Sequence, residues 1–174
     1  EGEDELIEKY LEGSELTEEE IKRGLRAGIM ARKIVPILCG SGLKNIGIQP
    51  LLDSIVAYLP SPVDVGAVEG IDPSTHGRVR REPKEEDPLA CFVFKTMADP
   101  YVGKLTLFRV YSGSLRSDSQ VYNATKDRQE RIGQLFFIRG KQQEPTDVVG
   151  PGDLAAVAKL VETGTGDTLC EKDK

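Results

Sequence analysis

The sequence predicts an α+β chain, in which a short helical and α/β piece precedes an antiparallel β-barrel or sandwich. Apolar residues recur at helical spacing as far as residue 59. From Leu89 onward, short runs alternate apolar and polar residues, as strands with one buried face do. The 174 residues include 18 glycines and 10 prolines, which suits the many turns of a small β-domain.

The first two helices are predicted from apolar spacing and from their ends. A stripe from Leu6 to Leu11 predicts a short amphipathic helix that Gly13 ends. Thr17 and Glu20 form a capping box, in which each side chain bonds the other residue's backbone N–H. This box predicts a second helix that runs to about residue 31, with an apolar stripe of Ile21, Leu25 and Ile29.

A strand, a loop and a helix are predicted next. Residues 34–39 are almost wholly apolar, which is typical of a strand that is buried on both faces. A polar loop follows at residues 40–45, and Pro50 suits the first position of a helix. That helix has a wide apolar face and ends before residues 60–62, Pro-Ser-Pro.

The second half predicts a linker and then the barrel strands. Residues 63–87 have little apolar periodicity and several glycines and prolines, so they are interpreted as a linker. The single histidine, His76, lies there without a nearby ligand partner, which argues against a catalytic or metal role. Strands are predicted at 90–95, 105–111, 121–123, 131–138 and 154–161, with turns at 150–153 and 164–167.

Composition and motifs exclude several function classes. No apolar run reaches the roughly 18 residues that cross a membrane, and the acidic first residues do not resemble a secretory signal. The three cysteines are odd in number and widely spaced, which favours a reducing cytosol over a disulfide framework or a zinc site. No catalytic constellation, dinucleotide motif or phosphate-binding Gly-x-x-x-x-Gly-Lys-Ser/Thr is present, so we predict no catalytic or metal residue.

Charge is unevenly placed along the chain. Residues 1–31 carry 10 acids and 4 bases, which accounts for the whole net charge of −6. Residues 116–141 carry 6 bases and 3 acids, a local excess of +3. Lys126, Arg128 and Arg131 in this stretch are either a phosphate-facing loop on a rigid barrel or a solvated hairpin with salt bridges to Asp127 and Glu130.

Motifs in both halves resemble translation elongation factor G, along nearly the whole chain. The absence of an initiator Met agrees with a piece of a longer protein. The matching segments, in order, are residues 4–13, 16–21, 34–41, 44–45, 47–62, 99–105, 108–113, 152–157 and 165–170. Two positions depart from the family pattern: Gly42 stands where alanine is usual, and Asp118 stands where glycine is common.

The resemblance implies a domain organisation and a parent activity. Residues 1–62 would be the C-terminal part of a GTPase domain, with 1–31 the tail of its insert and 34–62 its last strand, guanine loop and helix. Residues 63–87 would be a linker and 88–174 the second-domain translation-factor β-barrel. The parent would use GTP and Mg²⁺, whereas this part should need neither, since the phosphate loop, the switches and the Mg²⁺ site would precede residue 1.

The resemblance also implies sites and partners. The backbone N–H groups of Ser41, Gly42 and Leu43 would donate to guanine O6, and Lys126, Arg128 and Arg131 would contact small-subunit ribosomal RNA. The parent would be a cytoplasmic translocase that moves tRNA and mRNA on the ribosome and helps recycle it. We expect no membrane or DNA partner. The apolar helix faces, which would pack on the rest of the GTPase sheet, predict weak self-association.

Other assignments stay open at this point. The two departures leave open whether this is the main translocase or a diverged paralogue. Peptide release factor three and ribosomal protection proteins are alternatives that fit the quoted motifs less well. Elongation factor Tu-like relatives lack the insert. A stand-alone binding barrel and an enzyme with a site hidden in the barrel are the alternatives from other classes.

Overall fold

The computed structural model describes residues 2–100 and 103–172. The chain divides into two compact units, Glu1–Pro60 and Ser61–Lys174. The first unit has three helices: α1 (Gly2–Leu11), α2 (Glu18–Met30) and α3 (Ile48–Tyr58). The second has a short helix, α4 (Pro62–Val65), and all the strands among the described residues.

The helix ends agree with the sequence. Gly13 follows α1 with a φ of 77°, the left-handed conformation that a glycine adopts at low cost. The Thr17–Glu20 capping box opens α2 as predicted. Between α1 and α2, Lys9 Nζ lies 2.6 Å from Glu20 Oε1. Pro50 is the third residue of α3 rather than the first, a position whose N–H also has no partner inside a helix.

The strand predicted at residues 34–39 is absent, and the prediction was wrong. No described residue pairs with this segment in a ladder, and Val35 and Ile37 are 82% and 89% exposed. A strand exists only where a neighbour accepts its hydrogen bonds, and Pro36 removes one donor. Among the described residues of this unit only Gly28 is buried, so they form no core of their own.

The second unit opens with a hairpin inside the segment interpreted as a linker. Ser61 and Asp64 form a capping box that opens α4, a helix that was not predicted from the sequence. Strands β1 (Val68–Ile71) and β2 (Arg78–Arg81) then pair antiparallel. The segment is therefore not irregular throughout.

The remaining strands form the predicted antiparallel barrel. Eight of them make one sheet in the spatial order β7-β6-β12-β3-β4-β11-β8-β9, and β5 pairs with β10. In the chain, β5 precedes β6 and β10 follows β9, so the β5–β10 pair connects the two ends of the sheet around a single interior. The bond from the Ser117 N–H to the Asp147 carbonyl extends this pair. In chain order the strands are β3 (Ala90–Asp99), β4 (Gly103–Ser112), β5 (Leu115–Arg116), β6 (Gln120–Asn123), β7 (Arg128–Arg131), β8 (Leu135–Arg139), β9 (Gln142–Thr146), β10 (Val148–Val149), β11 (Leu154–Ala158) and β12 (Thr168–Cys170).

The strand predictions were right in type and less accurate in length. The run at 131–138 contains the last residue of β7 and four of the five residues of β8, with 132–134 between the strands, and residues 159–161 lie beyond β11. The interior has a buried apolar core, as the alternation predicted, beside a few buried polar side chains such as Asn123. The members of the apolar core are Leu89, Cys91, Val93, Phe108, Val110, Leu115, Val121, Ile132, Leu135, Val149, Ala155, Val157, Leu160 and Leu169.

One tight turn depends on a glycine. Gly113, between β4 and β5, has a φ of 67°. A Cβ atom built there would lie 2.6 Å from Leu89 Cα and 2.7 Å from Asp87 O. Both atoms belong to the backbone, so the chain can pass here only without a side chain.

Candidate functional site

The predicted base-recognition loop folds back on itself. Ser41 and Ile46 exchange both backbone hydrogen bonds, at 2.9 and 3.0 Å. Gly47 closes the loop with a φ of 75°, and a Cβ atom there would lie 2.9 Å from Cys39 O. The N–H of Ser41 is therefore already used, which corrects its predicted role as a donor to a base. The N–H groups of Gly42 and Leu43 stay candidates at the exposed tip.

The space around residue 42 does not require the glycine that stands there in place of the usual alanine. A Cβ atom built at Gly42 would meet nothing within 4 Å, so alanine fits there equally well. Asp118 differs, because its φ of 56° lies in the left-handed region that favours glycine. The usual family residue at each position is thus compatible with this backbone.

The three predicted RNA-contacting cations lie on or beside the β6–β7 hairpin, but they do not share one environment. Arg128 begins β7 and is exposed. Arg131 ends β7, and its Nη2 lies 3.3 Å from Asp118 Oδ1, in a pair whose side chains are 75% and 74% exposed. Such a pair stabilises little and is easily exchanged for a phosphate. Two of the three cations are therefore presented to solvent.

Lys126 is directed back onto the barrel instead. Its Nζ donates to the carbonyl of Glu162 and lies 3.4 Å from Asp167 Oδ2. The Asp167 side chain is only 7% exposed. The ammonium therefore neutralises a buried carboxylate and joins the hairpin to the loop before β12.

The two acids of the hairpin bond to groups other than the hairpin cations. Asp127 Oδ1 accepts the Tyr122 hydroxyl at 2.7 Å. Glu130 accepts three successive backbone N–H groups, those of Val161 at 2.8 Å, Glu162 at 2.9 Å and Thr163 at 3.0 Å. Its carboxylate also accepts the Thr163 hydroxyl. These contacts differ from the salt bridges with the hairpin cations that the solvated-hairpin alternative assumed.

Glu130 is thus the centre of a polar cluster that fixes residues 159–167, hereafter the clamped loop. Asn123, which is fully buried, donates to Thr163 Oγ1 at 3.0 Å and to Asp167 Oδ2 at 2.9 Å. From β4, Lys104 Nζ donates to the carbonyls of Val161, at 3.3 Å, and Thr163. One signal of the cluster was visible in the sequence, the predicted turn at 164–167, but nothing linked that turn to Glu130.

The pKa values of the two carboxyls follow from these contacts. Burial alone raises the pKa of Glu130, but its bonds from Thr163, Glu162 and Val161 outweigh burial and lower it. Burial likewise raises the pKa of Asp167, and Gly164, Asn123 and Lys126 together lower it. Both groups are therefore ionised at neutral pH.

The described residues offer neither a metal site nor a membrane-spanning helix. Within residues 2–100 and 103–172, no group of three His, Cys, Asp or Glu side chains is placed to hold a metal ion. In the same part of the chain, no helix has the length and apolar character needed to span a bilayer. The three cysteines are free thiols, and burial raises the pKa of Cys91.

The barrel also matches a known protein family. Residues 88–172 match the family model described as Elongation factor G domain 2. The barrel belongs to this family. The whole chain is similar to a protein of Thermus thermophilus whose crystal structure is known, with a TM-score of 0.71 and 27% identity over 97% of this chain. This chain spans 23% of the length of that protein.

Proposed function

We propose that this chain is part of a ribosomal translocase GTPase of the elongation factor G type, and that its barrel binds small-subunit ribosomal RNA. The observation that carries the proposal is the match of residues 88–172 to the second domain of elongation factor G. In the proposal the whole protein acts in the cytoplasm, drives the movement of tRNA and mRNA, and helps recycle the ribosome. Residues 1–62 are the end of its GTPase domain, with 1–31 from an insert, and residues 63–87 connect the two parts.

GTP and Mg²⁺ belong to the whole protein in this proposal. The loop at residues 41–46 offers a base only the N–H groups of Gly42 and Leu43, because the Ser41 N–H bonds to Ile46. Phosphate and Mg²⁺ contacts supply most of a nucleotide's affinity, and this chain has no phosphate-loop sequence. The residues present therefore fit one edge of a guanine base and no other part of the nucleotide.

The exposed arginines of the hairpin support RNA binding. Arg128 and Arg131 stand on a two-stranded ribbon whose base is fixed to the barrel. An arginine fork bonds two phosphate oxygens at once, so it suits a phosphate backbone better than a lysine does. Lys126 pairs with Asp167 and so helps to hold the hairpin against the barrel.

The test is ribosome affinity of the full-length protein across a salt series. Replacing Arg128 and Arg131 with Ala should flatten the slope of log affinity against log salt by about 1.4 to 1.8, at roughly 0.7 to 0.9 per lost phosphate contact. The matched control is Arg78→Ala with Arg80→Ala, two exposed arginines on β2 of the same unit. An equal change of slope in both double variants would refute a local RNA contact at the hairpin.

A further inference from the structure

A cavity of about 850 Å³ lies between the β1–β2 hairpin and the outer face of the barrel. Strands β3, β6 and β12 supply its floor. Side chains alternate along these strands, so that the neighbours of the buried Cys91, Val121 and Leu169 face away from the core. The volume is that of a small-molecule site, for which about 300 to 1,000 Å³ is usual.

Three aromatic rings line the cavity: Phe92 of β3, Tyr111 of β4 and Tyr122 of β6. Two of them have fixed partners. The Tyr122 hydroxyl donates to Asp127 at 2.7 Å, and the Arg109 guanidinium lies 5.4 Å from the centre of the Tyr111 ring. All three rings provide apolar area for a ligand. The Tyr111 ring already has the Arg109 cation over it, so the faces left for a ligand cation are those of Phe92 and Tyr122.

Charge in the lining is predominantly negative. Among the described residues, the carboxylates of Glu69, Asp72 and Glu171 line the cavity beside one base, Arg81. Glu69 is also paired with Arg78, whose Nη1 lies 3.8 Å from its Oε2, so the remaining excess is one negative charge. Asp72 is fixed at the turn of the hairpin, where it accepts the Ser74 hydroxyl at 2.7 Å and the Ser74 N–H at 2.8 Å. These bonds lower its pKa to about 2, so the carboxylate is charged at neutral pH. A cation is therefore favoured over an anion here.

We propose that this cavity binds a small organic cation, an ammonium group carried on an aromatic or apolar body. The body would pack against Phe92, Tyr111 and Tyr122, and the ammonium would lie toward Asp72. This site is separate from the hairpin of Arg128 and Arg131, and it needs no nucleotide and no RNA. Its test is therefore independent of the proposed function.

The test compares three probes that have the same phenyl group and a similar length. Phenethylamine carries a positive charge, 2-phenylethanol is neutral, and 3-phenylpropionate is negative. Each is titrated into the ¹⁵N-labelled chain while backbone amide shifts are recorded. A probe of about nine non-hydrogen atoms should bind with a dissociation constant on the order of millimolar.

Phenethylamine should shift the amides of Gly70, Thr168 and Cys170, which border the cavity, in a saturable way. The alcohol should bind the same residues more weakly, and the carboxylate more weakly still. Shifts elsewhere only, or equal affinities for amine and carboxylate, would overturn the proposal.

The variant Asp72→Asn tests whether the negative charge of Asp72, rather than the shape of the cavity, favours the amine. Asp72→Asn removes the charge and keeps a side-chain oxygen for the bonds from Ser74. It should weaken phenethylamine binding roughly two- to fivefold, the value of a partly exposed ion pair, and leave 2-phenylethanol binding unchanged. The control is Asp118→Asn, which removes an exposed carboxylate of the same unit outside the cavity. If Asp72→Asn and Asp118→Asn give the same amine affinity as the unsubstituted chain, the proposed cation site is wrong.

Discussion

Glu130 should be the polar side chain on which the stability of the clamped loop most depends. Glu130→Ala removes an ionised acceptor from three backbone N–H groups and one hydroxyl. A hydrogen bond to a charged group stabilises by about 1.5 to 3 kcal/mol, but water can reach the half-buried site and replace part of this. We therefore expect a loss of about 2 to 4 kcal/mol, measured by urea unfolding. In a unit the size of Ser61–Lys174, this loss of unfolding free energy lowers Tm by roughly 10 to 25 °C.

The control variant is Glu144→Ala. Glu144 on β9 lies 3.2 Å from Arg139 Nε in an ordinary surface pair, so its removal should cost less than about 1 kcal/mol. Hydrogen exchange at Val161, Glu162 and Thr163 should accelerate in the Glu130 variant alone. A loss below about 0.5 kcal/mol with unchanged exchange at these amides would refute the reasoning.

Three further predictions concern the same chain. The free energy of unfolding of the barrel should fall in acid, because the pKa values of Glu130 and Asp167 in the folded protein lie below their ordinary 4.5 and 3.8. The stability that the two carboxylates contribute is complete above these ordinary values and is lost as the pH drops through their pKa values in the folded state. Urea midpoints measured across an acid titration will show this loss. Amides of α1–α3 should exchange with deuterium much faster than those of β3, and uniform protection would contradict this. Gly113→Ala should cost about 3 kcal/mol or more by thermal unfolding, whereas Gly42→Ala should cost under about 0.5.

The sequence predicted the fold best where the signal was local. The capping box at Thr17, the glycine after α1 and the period-two runs of the barrel each depend on residues close in the chain. The strand predicted at residues 34–39 failed because a strand also needs a partner, and no described residue supplies one. The β1–β2 hairpin was missed since its residues are mostly exposed and show no apolar period.

The sequence predicted where the cations of the β6–β7 hairpin lie in the chain, but not which groups their side chains contact. The positive stretch around the β6–β7 hairpin was visible in the charge count. The direction of each side chain was not, because Lys126 and Glu130 bond residues 36 and 31 positions away. The same limit applies to Ser41, whose N–H is used by Ile46 in a loop closure that composition alone cannot show.

The internal partners of the hairpin decide which of its charges can reach RNA. The Glu130 carboxylate accepts hydrogen bonds from the amides of the clamped loop, and the Lys126 ammonium pairs with Asp167. The amides are neutral donors, so Glu130 keeps its negative charge, whereas the charge of Lys126, whose side chain is 42% exposed, is offset by Asp167. The hairpin cations that are not held against the barrel are the two arginines, Arg128 at one end of β7 and Arg131 in a solvated pair at the other. An RNA contact here would thus depend on two guanidinium groups with fixed spacing along one short strand. Lys126→Ala should then reduce ribosome binding chiefly by loosening the clamped loop and should leave the salt slope nearly unchanged.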